Sequence, residues 1–383
     1  GTYSTGQWSG ELTAEKWDNT AQAYVPAWKA NNAFPSAANR NIWTMSRLAS
    51  ALATQTPTAF VLGSGNTLPN LDAALLQGLD YYVNGSKQST TRAAMLNYLR
   101  GDNSDTTLRQ RKVPLGDVIS STPVYVAAPD KTLYVNATFD GASTYGTFVA
   151  NQSTRNPLVY VAANDGMLHA FRVKQALKTD GTPDPDKPAG QEVFAYLPAA
   201  VLAQAANSAG GLSNSANPQY GVVDGVTGAQ AVPHQYYNDG KITTQNVYLD
   251  TGDGQGKIWR TILVGTTGRG PAKTVYALDI TNPANFDALA QSMADPSKPL
   301  PKVLLWERSA GDTGACSGTV AANCSDYIGQ MTGAPVIAQI KDATSTRWVA
   351  YLGNGYNSKI NMPTLLEFDL ATGALNVRPS VVG

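Results

Sequence analysis

The sequence predicts a mostly-β fold: a β-propeller, incomplete in this chain, preceded by a mixed α/β segment. Three observations carry that prediction. Short apolar runs recur through the second part of the chain, separated by turns rich in Gly, Asn and Asp. A longer unit repeats over those runs: strand, Gly/Asn turn, strand, closing on an apolar pair and often Asp. The composition leans to turns and strands, with 35 Gly, 22 Pro and 18 Tyr among 383 residues.

Residues 1–110 form the mixed segment. "QWSGELTAE" and "RNIWTM" read as short strands. "LDAALLQGLDYYV" places Leu71, Leu75, Leu79 and Tyr82 at helical spacing. "TTRAAMLNYLRG" adds a second short helix, with Gly101 as its C-terminal cap. Residues 111–383 form the blades. Strands are expected at 122–128, 157–163, 246–250, 259–265, 274–280, 302–307, 334–340, 347–353 and 364–370. The repeat appears as "VYVAANDGMLHAFR", "ILVGTTGRGPAKTVYALD" and "VAYLGNGYNSKINMPTLLEFD". In the first copy Asp165-Gly166 make a tight reversal, and Phe171 is expected in the core between blades. Such units cannot bury their faces alone. Four-stranded blades around an axis fit their endings; a β-sandwich repeat is the alternative. Insertions at 174–190, 205–245, 284–300 and 308–328 are expected to be loops that form a variable contact surface on a rigid platform.

Lys+Arg equals Asp+Glu at 28 each, which argues against nucleic acid or an anionic membrane as the main partner. No apolar segment reaches the ~18 residues of a membrane span. No signal peptide opens the chain, and its abrupt ends read as an excerpt of a longer secreted protein. Cys316 and Cys324 suit a small loop closed by a disulfide, which points to an oxidising compartment; two free surface thiols are the alternative.

A catalytic centre is hard to build from these residues. The two histidines are His169 and His234, with no His-x-x-x-His pair and no Gly-x-Ser-x-Gly elbow. His169 is expected to face solvent or a hydrogen-bond partner on its strand. Asp184 and Asp186 belong to a Pro-rich turn. "DTGDGQGK" is the nearest approach to a calcium loop, with Asp250 and Asp253, but it has only two carboxylates and no distal acid. Trp259, Trp306 and Trp348 read as blade-packing residues, with sugar platforms as the alternative. In "LEFDLATG", Asp369 is expected to accept backbone N–H bonds and Gly373 to supply a positive φ.

"LGDVISSTPVYVAAPD" (115–130), followed by "VYVAANDGMLHAF", resembles the C-terminal propeller of the PilY1/PilC family of bacterial type IV pilus tip proteins. "FAYLPAAVL", "VYLDTGDGQGKIWRTILVGTTGRG", "VYALDITNP", "LLWE", "GNGYNS" and "LLEFDLATG" follow in the same order, and "WSGEL" and "YLRGD" precede it. The resemblance covers nearly the whole chain. It implies a pilus-tip adhesin and pilus-biogenesis factor, on the surface of a Gram-negative cell. The implied partners are minor pilins and a host-cell or abiotic surface. It also implies calcium binding at an Asp-rich loop beyond the matched region. Family members show the Arg100-Gly101-Asp102 tripeptide here too, which suggests an integrin-type receptor contact; the alternative is a helix that simply ends on Gly101. The Asp369-to-Gly373 ending is similar to the blade motif of quinoprotein dehydrogenases, which hold pyrroloquinoline quinone with calcium. Those enzymes use adjacent cysteines, which this chain lacks. A purely structural role in pilus assembly is the third reading.

Overall fold

The structure, a computed structural model, describes residues 2–4, 8–46, 55–68, 71–314, 322–341 and 346–379. The N-terminal segment carries β1 (Thr2–Ser4), β2 (Ser9–Glu11), β3 (Thr13–Asp18), β4 (Ala23–Lys29), β5 (Ile42–Met45) and β6 (Pro57–Ala59). Helix α1 (Ala73–Gly78), β7 (Tyr82–Val83), β8 (Ser86–Lys87) and α2 (Arg92–Leu99) follow. Both helices start on a side-chain cap. Asp72 accepts from the amides of Ala74 and Leu75, and Thr91 from that of Ala94. Helix α2 ends where Gly101 turns left-handed at φ 109°, as its sequence suggests.

Three four-stranded antiparallel blades follow. Blade 1 is β9 (Val124–Val126), β10 (Leu158–Ala162), β11 (Leu168–Arg172) and β12 (Glu192–Tyr196), with α3 (Tyr145–Asn151) inserted between β9 and β10. The short α4 (Ala199–Leu202) leads on to blade 2, which is β13 (Ile242–Leu249), β14 (Ile258–Thr266), β15 (Thr274–Asp279) and β16 (Leu304–Ser309). Blade 2 holds α5 (Ala284–Ala294) between β15 and β16. Blade 3 is β17 (Val336–Lys341), β18 (Thr346–Gly353), β19 (Thr364–Asp369) and β20 (Leu375–Pro379). The first strand of blade 2, β13, contacts both β9 and β17, so the first strands of the three blades lie side by side about a common axis. This is the propeller arrangement and not a two-layer sandwich.

The cores lie between the sheets. One seam packs Tyr160, Ala170 and Phe194 of blade 1 with Leu263, Tyr276 and Leu278 of blade 2. The next packs Ile262, Val264 and Trp306 of blade 2 with Trp348, Leu366 and Phe368 of blade 3. Trp306 and Phe368 stack at 5.7 Å. Trp306 and Trp348 are buried in that second seam, whereas Trp259 is buried in a separate cluster with Tyr145 and Phe148 of α3. The far face of blade 3 exposes Val336 and Leu365.

Four features depart from the sequence reading. The division at residue 110 is not a boundary in the sheets. Strand β5 pairs in parallel with β12, and β6 pairs with β5, so blade 1 becomes a six-stranded sheet. Phe171 does not face another blade. It packs with Leu12, Ala30 and Leu115, and meets Phe34 edge-on at 5.6 Å. The N-terminal segment thus covers the face of blade 1 equivalent to the one that Leu278 and Phe368 present to the preceding blade in blades 2 and 3. The insertion 205–245 is partly core, since Leu212, Ala216 and Tyr237 are fully buried, and its end already belongs to β13. The insertion 284–300 opens with helix α5.

Candidate functional site

Two of the motifs that carry the family resemblance, "LGD" and "NDG", meet at one end of blade 1. The β10–β11 turn is tight: the Gly166 amide donates to the Ala163 carbonyl at 3.1 Å, and Gly166 takes φ 95°. Asp165 does more than reverse the chain. Its carboxylate accepts from the amides of Met167 (3.1 Å) and Gly116 (3.2 Å) and from His169 Nε2 (3.1 Å). The other ring nitrogen, His169 Nδ1, lies 2.7 Å from Glu192 Oε1. Glu192 in turn takes a two-pronged bond from Arg40, Nε at 2.6 Å and Nη2 at 2.7 Å. Arg40, Asp165, His169 and Glu192 are all buried.

The charges balance in pairs. Burial alone would depress the His169 pKa, but the Asp165 and Glu192 carboxylates override it and push it up to about 9. Burial would raise both carboxylates, yet His169 and Arg40 hold them below their ordinary values. At neutral pH the imidazole is therefore a cation that donates from both nitrogens. It is fully enclosed, with neither nitrogen left for a substrate, so it serves as a structural tie. Its sequence signal was weak, because Glu192 and Arg40 lie far from it along the chain.

A second tie runs beside the first. Asp117 accepts from Asn164 Nδ2 at 2.7 Å and pairs with His234 Nε2 at 3.0 Å. Trp8 stacks on the His234 ring at 3.8 Å. Gly116 is required by close approach, since a Cβ there would stand 2.2 Å from the Asp165 amide nitrogen. Both histidines, the "LGD" segment and the Asn164-Asp165-Gly166 turn thus fasten the N-terminal segment to the propeller.

In the tripeptide Arg100-Gly101-Asp102 the arginine is buried and the aspartate partly exposed. Arg100 is 2% exposed, and its guanidinium donates to the carbonyls of Ala37, Ala38, Arg40 and Phe60. Burial pushes its pKa down to about 10. Asp102 accepts from the Ser104 amide, opening the next turn. The tripeptide therefore ends helix α2 and locks it to the N-terminal segment.

The calcium reading of Asp250 and Asp253 does not fit. Asp250 accepts from the Gly252 amide, while both oxygens of Asp253 are taken by Arg260 at 2.8–2.9 Å. Arg260 also holds Asp279 at 2.8 Å. A guanidinium thus stands where a cation would be needed, and among the described residues no three His, Cys, Asp or Glu group as a metal site. The Asp369 carboxylate accepts from the amide and hydroxyl of Thr372, and Gly373 takes φ 69° beneath the Trp306 ring. The blade-closing turn is thus satisfied internally. Cys324 is disulfide-bonded; Cys316 lies outside the described residues. No helix among them is long and apolar enough to cross a membrane.

Comparison with known proteins agrees with the architecture. The family model described as the PilY1 β-propeller domain matches residues 115–383. A Xylella fastidiosa protein named type IV pilus biogenesis factor PilY1 homolog is 33% identical over 97% of this chain and 23% of its own length. Type IV pilus biogenesis factor PilY1 of Pseudomonas aeruginosa PAO1 is 30% identical over 75% of this chain and 19% of its own. This chain thus spans about a fifth to a quarter of those relatives. The crystal structure of the Pseudomonas aeruginosa PilY1 C-terminal domain aligns with a TM-score of 0.40 at 25% identity, covering 68% of this chain and 37% of that one. The chain belongs to the PilY1 family and carries its β-propeller domain.

Proposed function

We propose that the chain acts by binding, as the rigid platform of a type IV pilus-associated adhesin and biogenesis factor displayed outside the cell. One observation carries this reading: the histidines and the buried charges of the shared motifs are consumed in internal ties, while the blades' loops remain available for contacts. His169 and His234, the two histidines of the chain, both sit in such ties. The expected partners are minor pilins on one side and a host or abiotic surface on the other. The names of the relatives, type IV pilus biogenesis factors, support the pilus half of the proposal.

The test is genetic. A strain whose full-length protein lacks residues 115–383 is expected to lose surface pili. Once piliation is restored by blocking retraction, it is expected to remain deficient in attachment. Normal attachment by restored pili would leave only the assembly role, and normal piliation from the start would remove that role as well. Co-purification of the full-length protein with minor pilins addresses the partner directly.

A further inference from the structure

A cleft of about 830 Å³ opens at the other end of blade 2, within the size range of small-molecule sites. Its floor is the β13–β14 hairpin with the segment that follows β15, and helix α3 from blade 1 forms one wall. Loops leave the propeller at this end after the first and third strands of each blade. The ties to the N-terminal segment sit at the opposite end, at the β10–β11 turn.

The lining selects by charge. Arg260 is held between Asp253 and Asp279, Lys257 reaches Asp140 at 3.3 Å, and the Lys302 ammonium donates to the Thr251 carbonyl. Every cation of the cleft therefore already has a partner, which leaves no free fork for a phosphate or sulfate. The neutral polar groups are the opposite case. Among the described residues, the side-chain amides of Asn151, Gln152 and Asn285 and the hydroxyl of Thr147 bond to no protein atom. Each amide offers two donors and an acceptor. In addition, the buried Arg260 Nε has no partner. Beside these groups stand Tyr248, half-buried, and Phe148, both packed around Trp259.

Free amides and a hydroxyl beside aromatic carbon suit a ligand with alternating O–H and C–H surface and no charge. We propose that this cleft binds a neutral saccharide, a hexose or N-acetylhexosamine unit of a surface glycan. Amides from helix α3 and the segment after β15 meet its hydroxyls, and Tyr248 meets its C–H face. The proposal rests on the binding reading above and names the ligand class for one of its surfaces.

The test uses saturation-transfer NMR on the purified chain, with neutral hexose and N-acetylhexosamine oligosaccharides as probes. Inorganic phosphate and a sulfated disaccharide serve as charged comparators. A neutral oligosaccharide is expected to bind saturably, and the Gln152→Ala/Asn285→Ala variant to bind it at least about tenfold more weakly at an unchanged melting temperature. Thr147→Trp, which fills the cleft, is expected to abolish binding. The proposal is overturned if no neutral probe saturates at millimolar concentration. Equal binding by both variants, or preference for a charged comparator, also overturns it. Saccharide binding is read on the isolated chain and piliation on cells, so failure here leaves the pilus role standing.

Discussion

The two ends of the propeller blades are built on opposite principles. At the β10–β11 end, buried charged groups pair with one another: Arg40 with Glu192, Glu192 and Asp165 with His169, Asp117 with His234. At the far end of blade 2, the charged groups are likewise paired, but neutral amides stand free in an open cleft. The first end is built from the "LGD" and "NDG" motifs, whereas the second takes its floor from "VYLDTGDGQGKIWR" and "VYALDITNP" and its free amides from the segments after β9 and β15. A buried ionic tie tolerates few substitutions because each partner leaves the other stranded in a low-dielectric interior. An exposed amide can be exchanged without such a penalty.

That contrast can be broken by substitution. The largest effect is expected for Arg40→Met, which leaves Glu192 short of its fork and removes the bond to the Arg100 carbonyl. Breaking a buried pair from one side costs about 3–5 kcal/mol, so urea unfolding should shift by that amount. Gly116→Ala comes next. Its Cβ would meet backbone of the Asp165 turn and not a flexible side chain, so a loss of about 1–3 kcal/mol is expected in the same assay.

A pH series sharpens the comparison without mutation. The stabilisation that His169 contributes is complete below its ordinary value of 6.5 and is lost as pH rises through about 9. Asp165 and Glu192 have lowered values. Their contribution is complete above the ordinary 3.8 and 4.5, and is lost as pH falls through the depressed values. The melting temperature should therefore be highest between about 4.5 and 6.5 and fall on both sides. A melting temperature still rising above pH 9 would show that the buried imidazolium is not a tie. The smallest effect is expected for Asp102→Glu. With Arg100 buried, adhesion to integrin-bearing cells should be unchanged, and a marked loss would show the tripeptide to be a receptor contact.

Much of the fold was legible because blade strands announce themselves locally. The runs around Val247, Leu263, Ala277 and Val349 have turn residues on both sides, and each became a strand. The turn at Asp369 was legible for the same reason: Asp, Thr and Gly at fixed offsets satisfy one another within five residues. What could not be read depends on distant partners. The parallel pairing of Ile42 with Ala195 leaves no trace in either segment. Phe171 looks like any inward blade residue, and only the fold reveals that the N-terminal segment covers it. His169 seemed a lone strand histidine because the sequence could not show that Glu192 and Arg40 reach it. The cleft is not legible in the sequence because its free amides, Asn151 and Gln152 on one side and Asn285 on the other, lie far apart in the chain and outside any motif.

The central claim is that the charged network at the β10–β11 end is scaffold while the free amides at the opposite end are available to bind. It is tested most directly by equilibrium urea unfolding of two variants beside the parent chain at pH 6. Glu192→Gln should lose about 3–5 kcal/mol, since it strands Arg40 and His169. Gln152→Ala/Asn285→Ala should stay within about 0.5 kcal/mol of the parent. A Glu192→Gln chain as stable as the parent, or a cleft variant that loses as much as the network variant, would contradict it.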